Sequence, residues 1–368
     1  MIVGLFPQLS APGGIPRSSC LTALALDSFA AGRGEICRFL SLSDSLGKQT
    51  AVTGGRQICF FGCGGSKTRF LARAMALAIG QPRIVVALHP NLARVTTAMK
   101  VIAPGMSSVV VVHGVEVWTP LPFLHRFSLQ SADRVLAPSQ HTLSQAVEKQ
   151  RLCTTKVRKL AWSLGPEFNE REPMITVSPP QRFPQGRIIL TVGRWDASEA
   201  YKGVDHLIAA MPALLKTFPD VQLVAVGAGT DLPRLQVLAR DSGAWDHIHF
   251  LPFIAHEQLP RAYDCCEIFA MPSRGEGFGL VFIEAMARAK PIIGGAHSGT
   301  PDVIDDGITG FLVSYGDLSQ LVDSLSRLLA SENLRRDMGT AALAKVRREF
   351  TFARFFSDLA AVLNELGA

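Results

Sequence analysis

The sequence predicts an α/β protein with two doubly wound parallel sheets, and three observations lead there. Short β-branched runs alternate with stretches of helical periodicity along the whole chain. The runs are apolar on both faces rather than alternating, as expected of parallel strands covered by helices on both sides. A proline-rich stretch, with Pro166, Pro173, Pro179, Pro180 and Pro184, separates the pattern into two halves, and such a composition makes a semi-rigid spacer.

Strands are expected at residues 2–6, 58–61, 84–88, 109–112, 135–137 and 157–161, then at 188–192, 222–226, 248–251, 268–271, 291–293 and 311–313. Between them Val204, Leu207, Ile208, Met211, Leu214 and Leu215 recur at the spacing of one helix face. This divides the chain into an N-terminal Rossmann-like domain over residues 1–168, a linker over 169–186, a second Rossmann-like domain over 187–350 and a terminal helix over 351–368. Ligands of such sheets bind outside the carboxyl ends of the strands, so a ligand is expected in a central cleft between the halves.

The 368 residues, 48% of them hydrophobic and 18% charged, suffice for two cores and exclude a disordered or fibrous chain. A net charge of +6 suits phosphorylated ligands, an acidic membrane surface or nucleic acid. Seven cysteines without a C-x-x-C pair exclude zinc-ribbon and thioredoxin arrangements and read as reduced thiols. The N-terminus lacks a basic leader, and no apolar run reaches the ~18 residues that span a bilayer. A cytoplasmic protein is expected, peripheral on the inner face of the membrane where it meets acidic lipid.

The densest motif is Met271-Pro-Ser-Arg-Gly-Glu-Gly-Phe-Gly-Leu-Val-Phe-Ile-Glu284. A strand ends at Met271, a turn follows with Gly275, Gly277 and Gly279, and a helix starts near Leu280. Unpaired amides at a helix start bind anions, and glycines let a phosphate approach the backbone. Glu276 lies in the turn and Glu284 eight residues on. Eight helical residues rise ~12 Å, more than the ~5–9.5 Å between a glycosidase's two acids. The spacing suits contacts with two ends of an extended ligand, against the plain alternative of two solvated charges.

Val192-Gly193-Arg194 ends an earlier strand, and Lys202 stands just before a helix. A cation at a helix start is unfavourable unless an anion lies close. Arg194 and Lys202 therefore read as a clamp for a diphosphate. Val226-Gly227-Ala-Gly229 is a weaker signal, since Leu232 stands where a dinucleotide fingerprint needs its third glycine. In the first half, Gly13-Gly14 follows the first strand and opens a helix, so that its amides can reach a phosphate. His113-Gly114 ends a run of four valines, which puts an imidazole at a sheet's carboxyl edge. His89 also ends a strand but has no further support. The stretch Gly62 to Thr68 looks like a P-loop but lacks the glycine before Lys67. The helix after it, with Lys67, Arg69 and Arg73 beside Phe70, Leu71 and Leu77, is basic and amphipathic, and an ordinary surface helix is the default reading for it.

These residues resemble the retaining glycosyltransferase family 4. Glu276 and Glu284 match its Glu-x7-Glu signature. The Val-Gly-Arg194, Lys202-Gly203 and Val-Gly227-Ala-Gly blocks and Gly299 to Gly310 are similar to further family blocks, while Gly13-Gly14-Ile15 and His113-Gly114 match more loosely. The chain departs from the family at Ser163-Leu-Gly-Pro and at Ala289. The resemblance implies a GT-B fold, two Rossmann-like domains facing a central cleft. It implies that Arg194 and Lys202 stabilise a departing diphosphate and that Glu284 holds the donor ribose. Glu276 and His113 would meet the transferred sugar, and amides of Phe278, Gly279 and Leu280 the phosphate or sugar. Gly14, Gly193, Gly227 and Gly277 join the donor contacts, with backbone at Phe253 and Ile254 facing the base. The terminal helix would cross back to the first domain.

The resulting expectation is retaining transfer of a sugar from a UDP- or GDP-sugar to a saccharide or lipid-linked acceptor, in bacterial polysaccharide or glycolipid synthesis. No Asp-x-Asp occurs, so no metal and no other cofactor is expected, and no nucleic-acid partner. The alternatives are a nucleotide-sugar epimerase on the same scaffold and a non-catalytic nucleotide-sugar-binding subunit.

Overall fold

The structure is a computed structural model that describes residues 1–11, 13–165, 183–254 and 258–367. The chain forms two compact units, Met1–Glu170 with Phe350–Ala368, and Arg171–Glu349. Of the linker expected over 169–186, residues 169–182 lie outside the described residues.

The first unit runs β1 (Ile2–Phe6), α1 (Gly14–Ala31), β2 (Cys37–Ser41), β3 (Gly47–Thr53), β4 (Arg56–Gly62), α2 (Lys67–Ile79), β5 (Ile84–Ala87), α3 (Ala93–Ile102), β6 (Ser107–Val111), α4 (Phe123–Gln130), β7 (Arg134–Ala137), α5 (Gln140–Gln150) and β8 (Val157–Lys159). Its sheet has the order β3-β4-β2-β1-β5-β6-β7-β8. Every pairing is parallel except β3 with β4. The sequence reading has no strand at β2 or β3. β3 is an edge strand in which Ala51 alone is buried, so it lacks the apolar run by which buried parallel strands are recognised.

The second unit runs β9 (Arg187–Arg194), α6 (Val204–Leu215), β10 (Val221–Ala228), α7 (Leu232–Asp241), β11 (Ile248–Leu251), α8 (Leu259–Asp264), β12 (Ile268–Met271), α9 (Leu280–Ala287), β13 (Ile292–Gly295), β14 (Gly310–Val313), α10 (Leu318–Ala330) and α11 (Glu332–Glu349). Its sheet, β11-β10-β9-β12-β13-β14, is wholly parallel. The helix face read from the sequence is buried against it: Leu207, Ile208, Met211 and Leu214 join Leu223, Ile268 and Leu325 in one core. The chain ends in α12 (Phe352–Leu366), which belongs to the first unit. It buries Phe355, Leu359, Val362 and Leu363, and its Leu366 carbonyl accepts from Ser107 Oγ at 3.2 Å.

Strand order fixes where a ligand can reach each sheet. β9 has β10 on one side and β12 on the other, and β1 lies between β2 and β5. Connections leave these strands in opposite directions, which opens a crevice at their carboxyl ends. Arg194 ends β9, and the turn after β12 carries Glu276. In the first unit the Gly13–Gly14 turn follows β1, and His89 follows β5.

Candidate functional site

In the second unit, glycines allow backbones to approach where side chains would collide. A Cβ at Gly193 would meet the Trp195 indole at 2.8 Å and Lys202 Nζ at 3.5 Å. A Cβ at Gly227 would strike the Gly193 carbonyl, and one at Gly229 the Trp195 backbone. Gly227, with φ +144°, is also in a conformation that other residues rarely adopt. Packing against β9 accounts for the Gly227-x-Gly229 pair.

Arg194 and Lys202 are brought together by an acid that sequence reasoning missed. Glu199 pairs one carboxylate oxygen with Arg194 Nη2 and sets the other 2.7 Å from Lys202 Nζ. Arg194 Nε also lies 3.2 Å from Asp196, which takes the Thr230 amide at 3.0 Å. Lys202 stands just before α6, where the sequence reading placed it. It ends a short 3-10 turn, Ala197–Lys202, and left-handed Gly203 separates it from the helix. The anion that its position demands is therefore already present in the protein. A signal was available, since Asp196 and Glu199 are acids inside the segment read as a cationic clamp.

The glycine turn lies against this loop. The Arg274 amide donates to the Tyr201 carbonyl at 2.9 Å. Burial pushes the Glu276 carboxyl above its usual range, and the Lys202 charge opposes that shift. Burial pushes the Lys202 ammonium down, against the charge of Glu276. The Glu276 amide donates to Ser298 Oγ at 3.0 Å, and its carbonyl accepts from Gly299 at 2.8 Å. A Cβ at Gly299 would strike the Gly277 carbonyl. Gly279, φ +87°, caps α9 without a side-chain hydrogen bond. The amides of Gly279 and Leu280 thus stand at a helix start, where the dipole favours an anion, while the Phe278 side chain is buried.

Two expectations about the acid pair change. Helix α9 begins only at Leu280, so half of the Glu276-to-Glu284 separation is turn and the 12 Å helical rise does not apply. Glu284 is also 0% exposed and accepts the Tyr263 hydroxyl at 2.6 Å. Its carboxylate has a core partner in this structure, whereas the sequence reading set it beside a ligand. Spacing could not reveal this, because it depends on α8 packing against α9. Phe253 and Ile254 follow β11, and the Phe253 side chain is exposed.

In the first unit, His113 Nε2 lies 2.8 Å from the Leu88 carbonyl. A carbonyl only accepts, so Nε2 is the donor of this hydrogen bond. The ring stacks on Trp162 with centroids 5.5 Å apart, and Trp162 packs on Phe355 of α12. His113 N–H donates to Glu116 Oε1 at 2.5 Å. The His89 ring is 6.1 Å from His113, and burial pushes its basicity down. Neighbouring strands of one sheet thus bring together two histidines that the sequence reading kept apart. Gly13, φ +126°, caps α1, in which Gly14 is the first residue. The loop before it is held by Asp44, which accepts the Leu9 amide at 2.7 Å, the Ser10 amide at 3.1 Å and the Ser10 and Ser41 hydroxyls. Burial raises the Asp44 carboxyl, but these hydrogen bonds outweigh it and hold it below the usual range.

Comparison with known proteins adds three findings. Residues 178–345 match the family described as glycosyl transferases group 1. The chain is 37% identical over 147 residues to a GDP-mannose-dependent alpha-(1-6)-phosphatidylinositol monomannoside mannosyltransferase of Mycolicibacterium smegmatis, covering 38% of each chain. It is 26% identical over 245 residues to an alpha-D-kanosaminyltransferase of Streptomyces kanamyceticus, covering 66% of this chain and 63% of that one. These matches span less than two thirds of either relative's length. Among solved structures, Anabaena HepE in complex with UDP-glucose superposes with a TM-score of 0.78 at 18% identity, covering 99% of this chain and all of the other. Sucrose-phosphate synthase of Thermosynechococcus elongatus gives 0.79 at 19% identity, with 99% and 98% covered.

Proposed function

We propose that the chain, whose residues 178–345 match the glycosyl transferases group 1 family and which has the GT-B fold, transfers a sugar, with retention of configuration and without a metal, from a UDP- or GDP-sugar to a saccharide or lipid-linked acceptor. One observation carries this reading: Arg194, Lys202 and the Glu276 turn converge where the strand order of the second sheet reverses.

The leaving diphosphate gains negative charge as its bond to the sugar breaks. Arg194, Lys202 and the first amides of α9 are fixed donors for that charge, and such preorganised groups need no rearrangement during reaction. Glu276 is assigned to the hydroxyls of the sugar, which suits a carboxyl whose charge burial disfavours. Glu284 is assigned to the ribose, which requires it to exchange or share its Tyr263 partner. Gly14 and His113 are assigned to ligand contacts of the first unit on the resemblance to the Glu-x7-Glu family, with the His113 ring oriented by its Leu88 and Trp162 partners. Retention is supported by the resemblance to the Glu-x7-Glu family. The GDP-mannose-dependent relative and the UDP-glucose complex of HepE support a nucleoside diphosphate donor.

A lipid-linked acceptor agrees with the phosphatidylinositol monomannoside named for the mannosyltransferase relative. No helix among the described residues is long and apolar enough to cross a membrane. Contact with acidic lipid is assigned to α2, which exposes Leu71 and Ile79 beside Lys67, Arg69 and Arg73.

The deciding experiment is a thermal-shift screen of UDP- and GDP-sugars, because a ligand that binds the folded state raises its apparent stability. Transfer assays with the stabilising donors follow, with the anomeric configuration of the product read by NMR. An inverted product overturns the retaining assignment. Isomerisation of the donor without acceptor overturns transfer.

A further inference from the structure

We infer that Glu199 is the positioning residue of the cation pair: its carboxylate bridges Arg194 and Lys202 and holds both in the arrangement that the diphosphate meets. The inference rests on the reading of Arg194 and Lys202 as the groups that receive the diphosphate.

The two cations, Arg194 at the end of β9 and Lys202 at the end of the 3-10 turn, repel each other. The Arg194 side chain is 68% exposed, and the other hydrogen bond of Lys202 Nζ is a long one, 3.4 Å to the Arg194 carbonyl. Flexible side chains of this kind lose rotamer freedom when a ligand fixes them. Glu199 removes that freedom in advance. Its own side chain is only 12% exposed, and its amide donates to the Asp196 carbonyl at 2.7 Å. Its backbone departs from helical geometry (φ −114°, ψ 18°) inside the 3-10 turn. Asp196 takes the other edge of Arg194 and is bound to Thr230, whose hydroxyl also accepts the Ala197 amide at 3.2 Å. The order of support therefore runs from Thr230 through Asp196 and Arg194 to Glu199 and Lys202. Among the described residues, Glu199 alone forms an ion pair with both cations.

The alternative is that Glu199 is a stand-in for the diphosphate, displaced when it binds. The two roles have opposite consequences. A positioning carboxylate improves diphosphate binding and turnover, whereas a stand-in competes with the ligand.

The test uses the full chain with Glu199→Gln, Glu199→Ala and Glu199→Asp, after each is shown to melt at the wild-type temperature. Glutamine has the shape of glutamate but accepts from one cation only. We expect kcat to fall about 10²-fold in Glu199→Gln and Glu199→Ala, the size of effect that a misplaced catalytic group has. Donor KM should change much less, and Glu199→Asp should recover part of kcat. The basic limb of the pH–rate profile should move to lower pH in Glu199→Gln, because Lys202 then faces Arg194 with only Glu276 and Asp196 to favour its charge. UDP and GDP, titrated without acceptor, should bind the Ala variant more weakly than wild type. Wild-type kcat in Glu199→Gln, or tighter nucleoside diphosphate binding by Glu199→Ala, overturns the inference. Absence of transfer by the wild-type chain itself counts against the proposed function, and the titration still decides the role of Glu199.

Discussion

Lys202 Nζ lies 2.7 Å from Glu199 Oε2, so the lysine that burial makes less basic has an acid directly beside its ammonium. Replacing the lysine removes the ammonium while leaving the Glu199–Arg194 pair in place. Lys202→Ala should lower turnover by about 10²–10³, as loss of one charge-stabilising donor does elsewhere. Steady-state kinetics with a saturating donor measure this, and unchanged turnover would take Lys202 out of the mechanism.

Glu276 has a carboxyl raised by burial, so its folded state prefers the proton more than its unfolded state does. Its favourable contribution is complete below the unfolded value of 4.5 and is lost as pH rises through the folded value. As pH rises, ionising the carboxyl costs more in the folded chain than in the unfolded one, a cost that Lys202 offsets in part. Glu276→Gln should therefore melt higher than wild type at pH 7.5, with the difference shrinking towards pH 4.5. Thermal melts at both values check the sign, and a larger gain at the acidic value would refute it.

Gly229 has no room for a side chain. A Cβ there runs into the Trp195 backbone, which neither rotates away nor compresses. Gly229→Ala should destabilise the chain by about 1–3 kcal/mol, as overpacking does. Denaturant unfolding gives the value directly. A neutral substitution would mean that the β10–α7 turn moves freely.

Tyr263 and Glu284 share a buried hydrogen bond of 2.6 Å. Tyr263→Phe deprives a buried carboxylate of that bond and should cost about 1–3 kcal/mol. If Glu284 also reaches the donor ribose, the same variant will alter the affinity for UDP or GDP, which calorimetric titration separates from the loss of stability.

Activity should persist in excess chelator, because the cations proposed for the diphosphate are side chains and helix amides. Loss of transfer with EDTA, restored by Mg²⁺ or Mn²⁺, would assign that charge to a metal instead.

Much of this architecture was legible in the chain. Buried parallel strands are largely apolar runs, so their positions can be read from the sequence, and twelve of the fourteen strands among the described residues overlap the runs expected. The glycine turn before Leu280 and the cations at 194 and 202 were legible because their chemistry is local. What only the tertiary structure decided is partnership. Glu199 meets both cations because Ala197–Lys202 turns back on β9. Glu284 is enclosed because α8 lays Tyr263 over it, and His113 is oriented by Leu88 and Trp162, residues 25 and 49 positions away in the chain. Residue type and spacing determine which groups can carry charge or bind an anion. Which of them are desolvated, paired or aimed depends on contacts between segments far apart in sequence, and those are set by packing.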